Sequence, residues 1–170
     1  KLTSPVEAKT TYAENTKIIN NETINRTSVF VAGTDQYIRS IDLHTGKQRW
    51  RILTTSPLTD SPVFVKNTIY QRIPNSGLAA YTAFPNNLSG ERIWLAEDVL
   101  GNVITTRNNG QLVCWDNNNN LLQIVDPRNG GVVSSISIPT AKNLLVDSQT
   151  NGALFVLTND DAILRLVPRQ

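Results

Sequence analysis

At 170 residues with a formal net charge of +2, the chain is long enough for one domain with a substantial core, and no cluster of Lys and Arg supplies an electrostatic grip on nucleic acid. The lone Cys114 excludes an internal disulfide framework, and with His44 as the only histidine a thiol zinc site lacks its ligands. No apolar run approaches the roughly 18 to 20 residues that span a bilayer, no signal peptide is legible, and a chain that starts at Lys1 and contains no Met reads as a processed or excised piece.

In chain order, Pro5 to Ala13 comes first, with Val6, Ala8, Thr10 and Tyr12 at alternate positions, as a strand requires. Val29, Phe30 and Val31 form an apolar run that Gly33-Thr34-Asp35 breaks. Tyr37 to Asp42 alternates, His44-Thr45-Gly46 turns the chain, and Lys47 to Trp50 starts the next run. Three further pairs of runs follow. Pro62 to Val65 and Thr68 to Ile73 flank Lys66-Asn67, Asn102 to Arg107 and Gln111 to Asp116 flank Asn108-Asn109-Gly110, and Asn143 to Asp147 and Ala153 to Thr158 flank Asn151-Gly152. Asn-Gly favours the positive φ angles of a tight hairpin turn. No stretch keeps a helical period, so the chain is expected to be all-β.

The pattern repeats. Ile38 to Trp50 matches Leu78 to Trp94, then Leu122 to Ser134, then in part Ile163 to Arg169. Ile41, Tyr81, Val125 and Leu166 share one position, and Asp42, Thr82, Asp126 and Val167 the next. Gly46, Gly90 and Gly130 share the turn, and Trp50 and Trp94 share a site that Ser134 has lost. The period of roughly 40 to 44 residues is that of a four-stranded propeller blade. The expected architecture is a β-propeller of four-stranded antiparallel blades in one domain, 1–170, with blades near 14–53, 58–96, 99–138 and 141–170. The last copy has three strands. A closing strand from within 1–13, set beside Ala162 to Val167, would complete it and hide two sheet edges.

The segment IDLHTGKQRW, with its partial copies at Ala80 to Trp94 and Ile124 to Gly131, resembles the PQQ-like β-propeller repeat family, over nearly the whole chain. The physical sense of the motif is direct. Gly permits a left-handed turn, Asp bonds the turn amides, and Trp fills the wedge between adjacent blades. Propellers of this family usually have more blades than four, so the resemblance implies half of a larger propeller, or two copies closing one ring as a homodimer. Quinone-dependent enzymes of the family use a vicinal disulfide and acidic calcium ligands, and one Cys cannot form that pair. The resemblance therefore implies a cofactor-free relative with no catalytic or metal-binding residues. It implies a protein- or ligand-binding scaffold of the bacterial envelope, periplasmic or extracellular, like the family's outer-membrane assembly scaffolds. The alternatives are the sensor ectodomain of a membrane receptor and, behind that, half of a quinoprotein dehydrogenase.

Candidate contact residues follow from the loop after the second strand of each blade: Asp35 and Gln36, then Pro74 and Asn75, then Asn117 and Asn118, then Asn159 and Asp160. Arg72 and Trp115 end the strands that feed these loops. Trp115 lies off the repeat position and is expected to offer a stacking platform beside the run Asn117 to Asn120. The expected partner is another protein or an extended peptide, which could also pair with an open sheet edge. His44 and Cys114 are expected to be a solvated turn residue and a packed core residue. The acidic pairs Glu97-Asp98 and Asp160-Asp161 lack the Gly-spaced loops of a calcium site. The sequons at Asn21, Asn25 and Asn87 matter only in a eukaryotic secretory setting.

Overall fold

The structure, a computed structural model, describes residues 8–19, 22–85 and 90–167. All fifteen named elements are strands, and they form four antiparallel sheets. The first holds β1 (Ala8–Ile19), β2 (Glu22–Gly33), β3 (Tyr37–Asp42) and β4 (Gln48–Leu53) in that order. The second holds β5 (Val63–Val65), β6 (Thr68–Ile73), β7 (Gly77–Thr82) and β8 (Arg92–Ala96). The third holds β9 (Asn102–Thr106), β10 (Leu112–Asp116), β11 (Leu121–Val125) and β12 (Val132–Ser137), and the last holds β13 (Ala141–Val146), β14 (Leu154–Thr158) and β15 (Ile163–Leu166). Each sheet is a meander, one propeller blade per repeat copy. The chain divides into two compact units, Lys1–Leu95 with the first two sheets and Ala96–Gln170 with the last two.

The N-terminal strand departs from expectation. Ala8 to Ala13 does not lie beside Ala162 to Val167. It pairs with Ser28 to Gly33 as part of a hairpin whose ladder runs from Ala8↔Gly33 to Ile19↔Glu22. The nearest complementary edge wins: closing a hairpin between neighbouring segments costs far less chain entropy than bringing the two ends of the chain together. Pro5 to Glu7, and the sequon residues Asn21 and Asn87, lie outside the described residues.

The repeat turn is built as its motif requires. Between β3 and β4, the Asp42 carboxylate accepts the backbone N–H groups of His44 and Thr45, both at 2.9 Å, and ion-pairs with Arg49. Gly46, at φ +67°, donates its N–H to the Asp42 carbonyl at 2.9 Å. The copy between β11 and β12 repeats this: the Asp126 carboxylate accepts the Arg128 N–H at 2.9 Å, and Gly130, at φ +78°, donates to the Asp126 carbonyl at 2.9 Å. Gly90 occupies the same repeat position for another reason. A Cβ there would sit 2.4 Å from the Ile52 side chain and 2.9 Å from the Trp50 ring, so glycine is needed for close approach.

The Arg128 guanidinium bonded to Asp126, helped by the Arg128 N–H, holds that carboxyl down at about 2. A depressed folded-state pKa stabilises the fold above the ordinary carboxylate range, and the contribution is lost as pH falls through about 2. Arg128→Ala is expected to return the Asp126 pKa toward its ordinary value in a carboxyl-carbon NMR titration. An unchanged value would show that the side-chain pair is not the cause.

In the first unit, the wedge between the two sheets is packed with rings. Phe30, Ser40 and Trp50 form one cross-strand row. The Phe30 ring lies 5.8 Å from Trp50, 6.2 Å from Phe64 and 5.8 Å from Phe84. Trp50 is buried and its indole N–H donates to the Ala83 carbonyl, at 3.0 Å, just past the end of β7. Ile38, Leu58, Ile69, Ala79 and Tyr81 complete this core. In the second unit, Val113, Trp115, Leu122, Leu144, Leu154 and Val156 form the core between the third and last sheets.

Candidate functional site

The expected contact loops come together in pairs, one pair in each unit. In the first unit, Gln36 takes the left-handed position of the β2–β3 turn (φ +69°) and Asn75 that of the β6–β7 turn (φ +61°). The segment after β4 joins them. Thr54 donates its N–H and hydroxyl to the Gln36 carbonyl at 2.7 and 2.8 Å, and the Thr55 hydroxyl meets that of Ser76 at 2.7 Å. In the second unit the segment after β12 has the same role. Ile138 donates its N–H to the Asn120 carbonyl, and Asn159 donates its own to the Thr140 carbonyl, both at 2.8 Å.

The polar side chains of these loops are largely committed to the turns. Asp35 is held by Arg39 at 2.5 Å, and this pairing keeps its carboxyl below the usual range. Arg72 reaches back to Asp60 at 2.9 Å. Asn118 donates its N–H to the Asp116 carboxylate at 3.0 Å, and Asp160 accepts the Thr158 hydroxyl, which lowers its pKa. Asn75, Asn117, Asn118, Asn159 and Asp160 are exposed at these loop tips, whereas Asp35, Gln36, Arg72 and Pro74 are half-buried.

Trp115 departs from the stacking platform expected of it. Only 7% of it is exposed, because every residue of β10 is buried and the indole packs among Val113, Leu122 and Leu154. A ring buried this far in the core cannot stack on a partner. Cys114, on the same strand, is fully buried, which pushes its thiol up to about 12. His44 is exposed in its turn. Among the described residues, no group of three or more His, Cys, Asp or Glu could hold a metal ion, and no helix is long and apolar enough to cross a membrane.

The feature that sequence reading missed is a cleft of about 450 Å³ in the second unit, between the third and last sheets. Its walls are apolar, with Val113, Leu122, Ile124, Ile136, Leu154 and Leu166, and its polar end holds Thr105, Arg107 and Asn151. The row Val113–Ile124–Ser134 corresponds here to Phe30–Ser40–Trp50 in the first unit. Valine and serine stand where phenylalanine and tryptophan fill the other wedge, so the space stays open. The signal was present in the sequence: Ser134 sits at the one aligned repeat position that carries Trp in both preceding copies.

No protein-family model and no curated protein matches the chain. Solved structures do. The chain is similar to BamB from Moraxella catarrhalis, with a TM-score of 0.54 and 12% identity over 76% of this chain and 43% of that one. It is similar to the computationally designed Ika4 protein, with a TM-score of 0.61 and 12% identity over 84% of this chain and 86% of that one. It is also similar to the β-propeller domain of Cps50 (Swd1) from Myceliophteria thermophila, with a TM-score of 0.59 and 13% identity over 84% and 53%. At these identities the likeness defines the fold: a β-propeller, of which this chain supplies about four blades. The chain spans less than half of the BamB chain it matches.

Proposed function

We propose that this chain is a non-catalytic propeller scaffold that binds another protein or an extended peptide, in the periplasm or at the bacterial cell surface. The observation that carries the reading is the cleft between the third and last sheets. It is a largely apolar space with a few polar groups at one end, the usual form of a binding site rather than of a packing fault. The fold-level likeness to BamB supports an envelope setting and a scaffold role. The loop tips bearing Asn75, Asn117, Asn118 and Asn159 supply polar contacts on rigid turns.

The test is selection of binders from a displayed library of random peptides against the immobilised folded chain, followed by measurement of the selected peptides in solution. Enrichment of saturable binders that fail to bind the urea-unfolded chain is the expected result. A folded chain that enriches nothing above an unrelated propeller overturns the reading.

A further inference from the structure

The first unit holds a smaller crevice of its own, of about 270 Å³, beside the fourth strands of its two sheets. Ile52, Thr54 and Thr55 stand on the side of the first sheet, and Ile73, Tyr81 and Leu95 on the side of the second.

The register orders this lining from end to end. Thr82 donates its N–H to the Glu91 carbonyl, so Tyr81 and Arg92 are neighbours on adjacent strands at one end. Ile73 pairs with Gly77 at the other end of β7, and there the Thr55 hydroxyl meets that of Ser76 at 2.7 Å. Ile52 and Leu95, which both pack against the ring cluster, lie between. The crevice is therefore polar at both ends and apolar in the middle.

The two ends ask for different groups. Tyr81 is 1% exposed, and its hydroxyl hydrogen-bonds to none of the described residues. Burial pushes that hydroxyl up to about 12, against the pull of the nearby Arg92 charge, so at neutral pH it keeps its proton and is a donor. Arg92 is exposed and forms no ion pair among the described residues, and no carboxylate is among the described lining residues. A buried donor without an acceptor is costly, and a guanidinium beside it favours an acceptor that is an anion. At the far end the Thr55 and Ser76 hydroxyls use one proton between them, which leaves the other free to donate and lone pairs free to accept. The size follows from the volume. At ~30 Å³ per water, the crevice equals about nine waters, so its occupant has on the order of ten non-hydrogen atoms.

We propose that this crevice binds a small aromatic carboxylic acid with a para hydroxyl. The carboxylate accepts from the Tyr81 hydroxyl and pairs with Arg92, the ring lies between Ile52 and Leu95, and the ligand hydroxyl meets the Thr55–Ser76 pair. The site goes beyond the scaffold reading and does not depend on it.

The experiment titrates the full chain with 4-hydroxyphenylacetate, phenylacetate and 4-hydroxyphenylacetamide, followed by backbone amide shifts in NMR spectra. The hydroxy acid is expected to give saturable shifts at Thr54, Thr55, Ser76, Tyr81 and Arg92. The neutral amide should bind about tenfold or more weakly, and phenylacetate about threefold more weakly. Tyr81→Phe keeps the ring and removes only the donor, and should weaken the hydroxy acid by about tenfold. Arg92→Gln, on an exposed side chain, should erase the preference for acid over amide, and Arg92→Lys should restore part of it. Arg107→Gln, in the second unit, should leave binding unchanged. Equal binding of acid and amide overturns the proposal, as does the absence of saturable shifts at these amides. Acid binding that ignores both Tyr81→Phe and Arg92→Gln overturns it too, and loss of binding in Arg107→Gln alone would place the acid in the other cleft. Phenylacetate binding as tightly as the hydroxy acid overturns the role given to Thr55 and Ser76.

Discussion

Trp50→Ala is expected to destabilise the chain by on the order of 3 to 5 kcal/mol, seen as a fall in the urea midpoint followed by circular dichroism. The indole is 2% exposed and forms a ring contact with Phe30, and its N–H satisfies the Ala83 carbonyl across the wedge. Truncation therefore opens a cavity and leaves a buried acceptor without its donor, and the two penalties add. Ile52, which packs against this cluster, is held in β4, so the surroundings collapse into the space only in part. Trp50→Phe should fall between, because it keeps the ring and loses the hydrogen bond. A loss below about 1 kcal/mol for the alanine variant would mean that the wedge is not the keystone of the first unit.

The second large effect is expected at Gly101, in the second unit. A Cβ there would lie 2.5 Å from the Trp115 carbonyl carbon and 2.7 Å from the Asp116 nitrogen. These are backbone atoms of a strand buried on both faces, so they cannot swing aside as a side-chain end can. Gly101→Ala must push β9 from β10 or twist the Trp115–Asp116 peptide, at a cost of roughly 1 to 3 kcal/mol. Gly131→Ala is the matched control. Its Cβ would meet only the Asn129 side chain, at 3.1 Å, on an exposed turn. The account expects a clear drop in midpoint for the first and little for the second. Equal effects would contradict it.

The difference between the two glycines shows where sequence reading stops. The repeat turns were legible because their chemistry is local: Asp42 and Asp126 bond amides two or three residues away, and Gly46 and Gly130 supply the left-handed angle. Trp50 was legible as a wedge residue through its recurrence at Trp94. The pairing partner of the N-terminal strand was not, since Ala8 to Ala13 has an alternation that suits either sheet edge, and proximity along the chain decided between them. Trp115 misled for a different reason. Alternation separates inside from outside only for strands with one wet face, and β10 has none. The cleft was half-legible. The loss of Trp at Ser134 marked it, but its depth also depends on Val113 and on how the third and last sheets splay, which no local pattern displays.

The central claim is that the third and last sheets share a meander but differ at one edge. Backbone hydrogen exchange followed by NMR tests it directly. Ile138 donates to the Asn120 carbonyl, so the antiparallel alternation points the Leu122 and Ile124 N–H groups at β12. Leu122 and Ile124 should therefore exchange slowly, while Ile163 and Arg165, at the corresponding positions of the last sheet, exchange near the rate of an unpaired amide. Slow exchange at all four positions in the unliganded chain would contradict the open edge.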